Sequence, residues 1–166
     1  ISLSHGDWLI RLLKEAKKHR LHTAIETCGY ASYEVLKEAI NYLDVIFFDI
    51  KSMNDEKHKR YTGKSNQIIL DNFKQLVQDA KTTKITARTP VIPGFNDTVE
   101  ELEEIQRFVA KGKNVSYEML PYHRFGKGKY EMLGRTYPMG DVLLSEEIKT
   151  YIQKQNEKWR KKECQS

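Results

Sequence analysis

Val45-Ile46-Phe47-Phe48-Asp49-Ile50-Lys51 is the stretch on which the fold turns. Its first four residues are β-branched or aromatic and put apolar groups on both faces of an extended chain. A strand apolar on both faces is expected to be covered on both faces. Such strands belong to parallel sheets flanked by helices, so the flanking sequence should read as helix.

It does. Upstream, Val35, Leu36, Ala39, Ile40 and Leu43 recur at helical spacing behind Ser32, a suitable N-cap. Before them, Thr23-Ala24-Ile25 runs into Glu26-Thr27-Cys28-Gly29, an apolar run ended by glycine that predicts a buried strand. Trp8, Leu9, Leu12, Leu13 and Ala16 predict a helix over 6–19, closed by Lys17, Lys18, His19 and Arg20. Downstream, Ile69, Leu70, Phe73, Leu76, Val77 and Ala80 predict a third helix, and 85–89 a third strand. Asp97-Thr98-Val99-Glu100 resembles a capping box that opens a helix with Val99, Leu102, Ile105, Phe108 and Val109 inward. A fourth strand follows over 115–122, and after Ser145 a last helix with Ile148, Tyr151, Ile152 and Trp159 inward.

Strictly alternating helices and strands predict an α/β fold with a parallel sheet, forming one domain over residues 1–166. The pattern opens on a helix, and four strands are too few to close a barrel. The expected architecture is therefore a partial (β/α) barrel truncated on its N-terminal side. Ile1 is not a natural start, which agrees with a portion of a longer protein. Residues 123–141, with Gly126, Gly128, Gly134 and Gly140, lack apolar periodicity and are expected to be a functional loop.

Composition narrows the class. With 39% apolar residues and a net charge of only +5 over 166 residues, the chain is expected to fold around one core rather than remain disordered. No stretch approaches the roughly 18 apolar residues of a membrane helix, and the start lacks signal-peptide features. A soluble, cytoplasmic protein is expected. A pI near 9.1 fits nucleic-acid binding, but acidic and basic residues are interleaved. The one dense basic run, from Lys154 to Lys162, reads as a solvated helix end, so neither nucleic acid nor membrane is an expected partner. The two cysteines, Cys28 and Cys164, are too far apart for a CxxC site, and Cys28 reads as a small buried residue.

Ligands of parallel α/β sheets bind at the carboxyl ends of the strands. Strand one ends in Glu26-Thr27, strand two in Asp49-Ile50-Lys51, strand three carries Arg88, and strand four ends in Tyr122-His123. A lone strand-end aspartate is often just a helix cap. Two carboxylates, a lysine, an arginine and a histidine at four successive ends instead predict a mixed-charge pocket for a zwitterionic or anionic small molecule. Thr62-Gly63-Lys64-Ser65 imitates the end of a phosphate loop, but His58 stands where its first glycine belongs and no strand feeds it. His19 and His22 straddle a helix end and make a poor metal pair.

Five motifs occur in order: Ile25-Glu26-Thr27-Cys28-Gly29; Phe48-Asp49-Ile50-Lys51; Tyr61-Thr62-Gly63 to Leu70-Asp71-Asn72; Arg88-Thr89-Pro90-Val91-Ile92-Pro93-Gly94-Phe95-Asn96-Asp97; and Leu120-Pro121-Tyr122-His123 with Gly126 and Lys129-Tyr130. Together they resemble the glycyl radical enzyme activating enzymes of the radical S-adenosylmethionine superfamily. The resemblance implies a partial barrel whose rim binds S-adenosylmethionine beside a [4Fe-4S] cluster. The cofactor's 5'-deoxyadenosyl radical would take a hydrogen from a glycine of a pyruvate formate-lyase-like partner, with flavodoxin or ferredoxin as electron donor. It further implies that Lys51 meets the methionyl carboxylate, Arg88 the ribose and carboxylate, and His123 the adenine. Glu26, Thr27 and Asp49 would lie near the cofactor, with Glu26 and Asp49 a possible monovalent-cation pair.

Two departures accompany the resemblance. The cluster motif CxxxCxxC and the glycine-rich GGE segment are absent from the sequence and are expected to lie N-terminal to Ile1. This chain by itself is thus expected to hold no cluster and to be inactive. The competing reading from the residues alone is a barrel lyase or aldolase that forms a Schiff base on Lys51.

Overall fold

In the computed structural model, which describes residues 3–163, the sheet has the order β1 (Ala24–Thr27), β2 (Val45–Asp49), β3 (Lys84–Val91), β4 (Val115–Pro121). Every neighbouring pair is parallel, with Ile46 level with Ile85 and Asp49 level with Arg88. The expected α/β architecture of a partial barrel is the one observed.

Helices α1 (Gly6–Lys18), α2 (Tyr33–Ala39), α4 (Gln67–Asp79) and α5 (Val99–Val109) share one apolar cluster with one face of the sheet. On that face Ile46, Phe48, Ile85, Ala87, Tyr117 and Met119 are at most 3% exposed. Phe48 meets Phe73 of α4 with ring centroids 5.3 Å apart, and Phe73 meets Phe108 of α5 at 5.5 Å, so aromatic contacts run from sheet to both helices. Burying side chains of this size is worth about 1.5 to 3 kcal/mol each, which is why the 3.6-residue period governs these segments.

The opposite face differs from the expectation of two covered faces. Ala24, Glu26, Val45, Phe47, Thr86, Arg88, Ser116 and Glu118 point to it and are half-buried or exposed. Phe47 is shielded there by the Arg88 guanidinium, 4.9 Å above its ring. Strand β1 is likewise not buried as expected. Ala24 and Glu26 are exposed, Ile25 and Thr27 half-buried, because β1 is an outer strand with a partner on one side only among the described residues.

The other outer strand is closed off. Helix α7 (Glu146–Glu163) lies along β4, and Asn156 accepts from the backbone N–H of Met119 and donates to its carbonyl, both at 2.9 Å. One side chain thereby reproduces the two hydrogen bonds a fifth strand would make there. The basic run ends α7 with exposed Arg160, Lys161 and Lys162 in its last turn.

Two helices escaped the apolar pattern. In α3 (Asp55–Thr62) only His58 is buried, and its caps carry the element: the Asn54 side chain accepts from Lys57 N at 2.9 Å, and Gly63 closes it at φ +74°. Thr62-Gly63-Lys64-Ser65 thus joins two helices and follows no strand, and His58 Nδ1 sits 2.7 Å from the Lys64 carbonyl. The short α6 (Lys127–Met132) interrupts the expected loop over 123–141 and buries none of its residues. The capping box lies one residue later than expected, since Thr98 accepts from Glu101 N and its hydroxyl meets Glu101 Oε2. Cys28 is half-buried rather than buried, because it sits in the turn after the outer strand, and Cys164 lies outside the described residues.

Candidate functional site

The parallel register delivers the C-terminal ends of all four strands to one rim. There Arg88 bridges two carboxylates. Its Nη1 donates to Glu26 Oε1 at 3.0 Å, while Nε and Nη2 both donate to Asp49 Oδ1, at 3.2 and 3.1 Å. Lys51 takes the other oxygen of the same carboxylate, Nζ to Oδ2 at 3.2 Å. Four of the six residues expected at the site, Glu26, Asp49, Lys51 and Arg88, therefore form one connected cluster.

The electrostatics follow from the geometry. The hydrogen bond from Arg88, followed by its charge, holds the Glu26 carboxyl below its ordinary value. Burial works against the Arg88 cation, whose side chain is 13% exposed, but the Glu26 and Asp49 carboxylates outweigh it and raise its pKa. Two anions and two cations cancel formally. A ligand carrying both signs can exchange into such a cluster while every charge in it keeps a partner.

Thr27 and His123 take other places. Thr27 Oγ1 accepts from Gly29 N at 2.9 Å and shapes the turn after β1. His123 is exposed beyond β4; its Nδ1 accepts from Phe125 N at 3.4 Å and its ring lies 4.3 Å from that of Phe125. It stands on the same rim without joining the cluster.

Three buried asparagines hold this rim; they stand within the motif stretches 61–72 and 88–97, where the sequence reading gives them no role. Asn72 of α4 donates to the carbonyls of Gly29 and Ala31, at 2.7 and 2.9 Å. Asn66 donates to Ser52 at 2.8 Å. Asn96, fully buried, donates to Lys51 and Pro90 and accepts from Ile92 N. Each ties down backbone after β1, β2 or β3, and an asparagine on the apolar face of α4 was the available signal. Tyr117 of β4 donates to Thr89 Oγ1 of β3 at 2.8 Å, and Thr89 donates to the carbonyl of Ile50, the residue after β2, at 2.8 Å.

A cavity of about 590 Å³ lined by Val45, Lys84, Thr86 and Ser116 lies at the N-terminal ends of the strands, away from these groups.

Residues 3–109 match the family model described as the radical SAM superfamily. The chain is 44% identical over 158 residues to an isethionate sulfite-lyase activating enzyme of Oleidesulfovibrio alaskensis, a match over 92% of this chain and 51% of the relative. It is 37% identical over 135 residues to a 4-hydroxyphenylacetate decarboxylase activating enzyme of Clostridium scatologenes, covering 81% of this chain and 43% of the relative. It spans about half the length of the curated relatives it matches. Among solved structures, a domain of pyruvate-formate lyase-activating enzyme from Bacteroides vulgatus superposes with a TM-score of 0.74 at 22% identity, over 95% of this chain and 88% of that one. That likeness establishes the shared fold.

Proposed function

The chain belongs to the radical SAM superfamily, and from that premise we propose that it is the part of a glycyl radical enzyme activating enzyme that grips the polar end of S-adenosylmethionine. The observation that carries the reading is the Arg88 bridge between Glu26 and Asp49 with Lys51 on the second Asp49 oxygen. The donor set fits a ligand with a carboxylate, an ammonium and a sulfonium: Lys51 and Arg88 receive the carboxylate, Glu26 and Asp49 the cationic groups. His123 meets the adenine edge, and Thr27 keeps the turn beside Glu26 in shape. When bound, the cofactor supplies a carbon-centred radical for hydrogen abstraction from a glycine of the partner enzyme. Glu26 and Asp49 are also the candidate pair for a monovalent cation, which would replace one Arg88 contact.

An iron–sulfur cluster does not fit this chain. Its two cysteines cannot supply three thiolates to one cubane. We assign the ligands to the half of the relatives' length that the chain does not span. A one-electron donor of the flavodoxin or ferredoxin type and a cytoplasmic location complete the reading; among the described residues no helix is long and apolar enough to cross a membrane. The relatives do not favour a Schiff-base lyase, and Lys51 Nζ is already engaged by Asp49.

The test is anaerobic incubation of the complete enzyme that contains this chain, loaded with its cluster, with S-adenosylmethionine, a reductant and isethionate sulfite-lyase, and in parallel with 4-hydroxyphenylacetate decarboxylase. An organic-radical resonance on one partner, with formation of 5'-deoxyadenosine, is expected. Cofactor turnover with no radical on either would overturn activation of these partners.

A further inference from the structure

The three most exposed large apolar side chains among the described residues are Met132 (89%), Phe125 (84%) and Leu133 (67%), and all belong to the segment between β4 and α7. Val142 and Leu143 add two more at its far end. These groups are not flung out by a loose loop. Tyr122 and Tyr137 share a hydroxyl hydrogen bond across the base of the segment, Tyr130 packs edge-on against Tyr137 at 5.2 Å, and Arg124 pairs with Asp141. Gly134 and Gly140 supply the left-handed turns that fold it back, at φ +62° and +52°. The chain holds its ends together and turns its apolar side chains outward.

Charge points the same way. What counts is the balance of charge within the segment, where Arg124 is neutralised by Asp141. Within this segment Lys127, Lys129 and Arg135 are exposed and carry no carboxylate partner among the described residues, against one unpaired acid, Glu131. The surface is apolar with a positive surplus, and it leaves β4 at the rim where Glu26, Asp49, Lys51 and Arg88 cluster.

We propose that residues 122–143 form the docking surface for the protein partner, recognising a polypeptide segment that places acidic residues beside a large apolar side chain. The proposal rests on the activating-enzyme reading above. Met132 and Leu133 bury the partner's apolar group, and Lys127, Lys129 and Arg135 meet its acids and speed encounter. A partner that must present a backbone glycine to this rim has to lay chain across its edge, and this segment is the edge next to His123. A membrane surface could meet the same composition, but it cannot deliver a glycine to the rim.

The experiment compares the cluster-loaded enzyme with K127E/K129E and M132S/L133S variants. Affinity for isethionate sulfite-lyase and for 4-hydroxyphenylacetate decarboxylase is measured at low and high salt, and cofactor cleavage is followed without partner. Expected are a loss of about tenfold or more in partner affinity for each variant, a salt dependence that K127E/K129E abolishes, and unchanged cleavage without partner. Partner binding equal to the parent in both variants overturns the docking surface and leaves the activating-enzyme reading standing. A parent enzyme that binds neither partner overturns that reading and this proposal with it. Binding of the parent to phosphatidylglycerol vesicles, lost in the variants while partner affinity holds, assigns the surface to a membrane and overturns the proposal. A parent dimer that both variants dissolve, with partner affinity unchanged, assigns it to a second copy and overturns it equally.

Discussion

Asn96 donates its side-chain amide to the backbone carbonyl of Lys51 at 2.7 Å, although the two residues are on different loops of the rim. The same amide reaches the Pro90 carbonyl at 2.9 Å, and its oxygen accepts from Ile92 N at 2.7 Å. One buried side chain thus fastens the backbone that carries Lys51 to the end of the strand that carries Arg88.

Asn96→Ala leaves three backbone groups without this partner in a site closed to water, and each buried orphan costs about 1 to 3 kcal/mol before relaxation. The expected loss is on the order of 3 kcal/mol in urea denaturation. Asn96→Asp keeps an acceptor for Ile92 N but faces two carbonyls with no donor, so it is expected to be nearly as damaging. A fully stable Asn96→Asp protein would show that the fastening is incidental.

Lys51→Ala tests the cofactor grip. A hydrogen bond to a charged group is worth roughly 1.5 to 3 kcal/mol, so S-adenosylmethionine affinity should fall by about tenfold or more in equilibrium dialysis of the cluster-loaded enzyme. Arg88→Lys should weaken binding too, because a single ammonium cannot span Glu26 and Asp49 as the guanidinium fork does. Unchanged affinity in both would remove the cluster from the cofactor site.

Two glycines with nearly equal positive φ should respond differently to alanine. Gly63 has φ +74° and open space around it, so Gly63→Ala meets only the left-handed penalty, about 1 kcal/mol. Gly29 has φ +68°, and a Cβ there would lie 2.2 Å from Cζ of Phe48, whose ring is fully buried. Gly29→Ala must therefore displace a core aromatic as well, for about 3 kcal/mol or more. Equal shifts in denaturation midpoint would mean that Phe48 moves freely.

Apolar spacing and strand-end chemistry are legible in the sequence; contacts between distant loops are not. The four strands and the helices around Leu36, Phe73, Ile105 and Ile152 carry apolar groups at regular spacing and were readable, as was the convergence of Glu26, Asp49, Lys51 and Arg88. Helix α3 was not, because its stability lies in caps around one buried histidine. The exposure of β1 was not, since Ala24 and Ile25 look the same whether or not a strand lies beyond them. The roles of Asn66, Asn72 and Asn96 depend on contacts with loops far along the chain, which local pattern does not encode.

Asp55 gives the pH dependence. Its carboxylate holds Lys59, Ser65 Oγ and Asn66 N, and these contacts lower its pKa to about 2, the Lys59 interaction foremost. A folded pKa below the unfolded one contributes stability above the unfolded value, lost as pH falls through the folded value. Asp55→Asn should therefore melt below the parent at neutral pH, and the gap should close between about pH 4 and pH 2. A gap independent of pH would show that the charge is not what holds α3 to α4.

The two outer strands of the sheet predict where the isolated chain associates. Asn156 answers the backbone of Met119, so β4 offers little to a second molecule. Strand β1 has no such cover among the described residues: its far side faces no strand, and neither lysine nor proline occurs within Ala24–Thr27. An unguarded edge templates pairing with another chain. Sedimentation over a concentration series should show the mean mass of the isolated chain rising, and Ala24→Lys, which puts a charge on the exposed face of that strand, should keep it monomeric. Hydrogen exchange locates the contact, because amides of 24–27 should gain protection with concentration while those of β4 do not change. A chain that stays monomeric throughout, with β1 amides strongly protected at the lowest concentration, would mean that this edge is already satisfied and that the sheet is complete without a further strand.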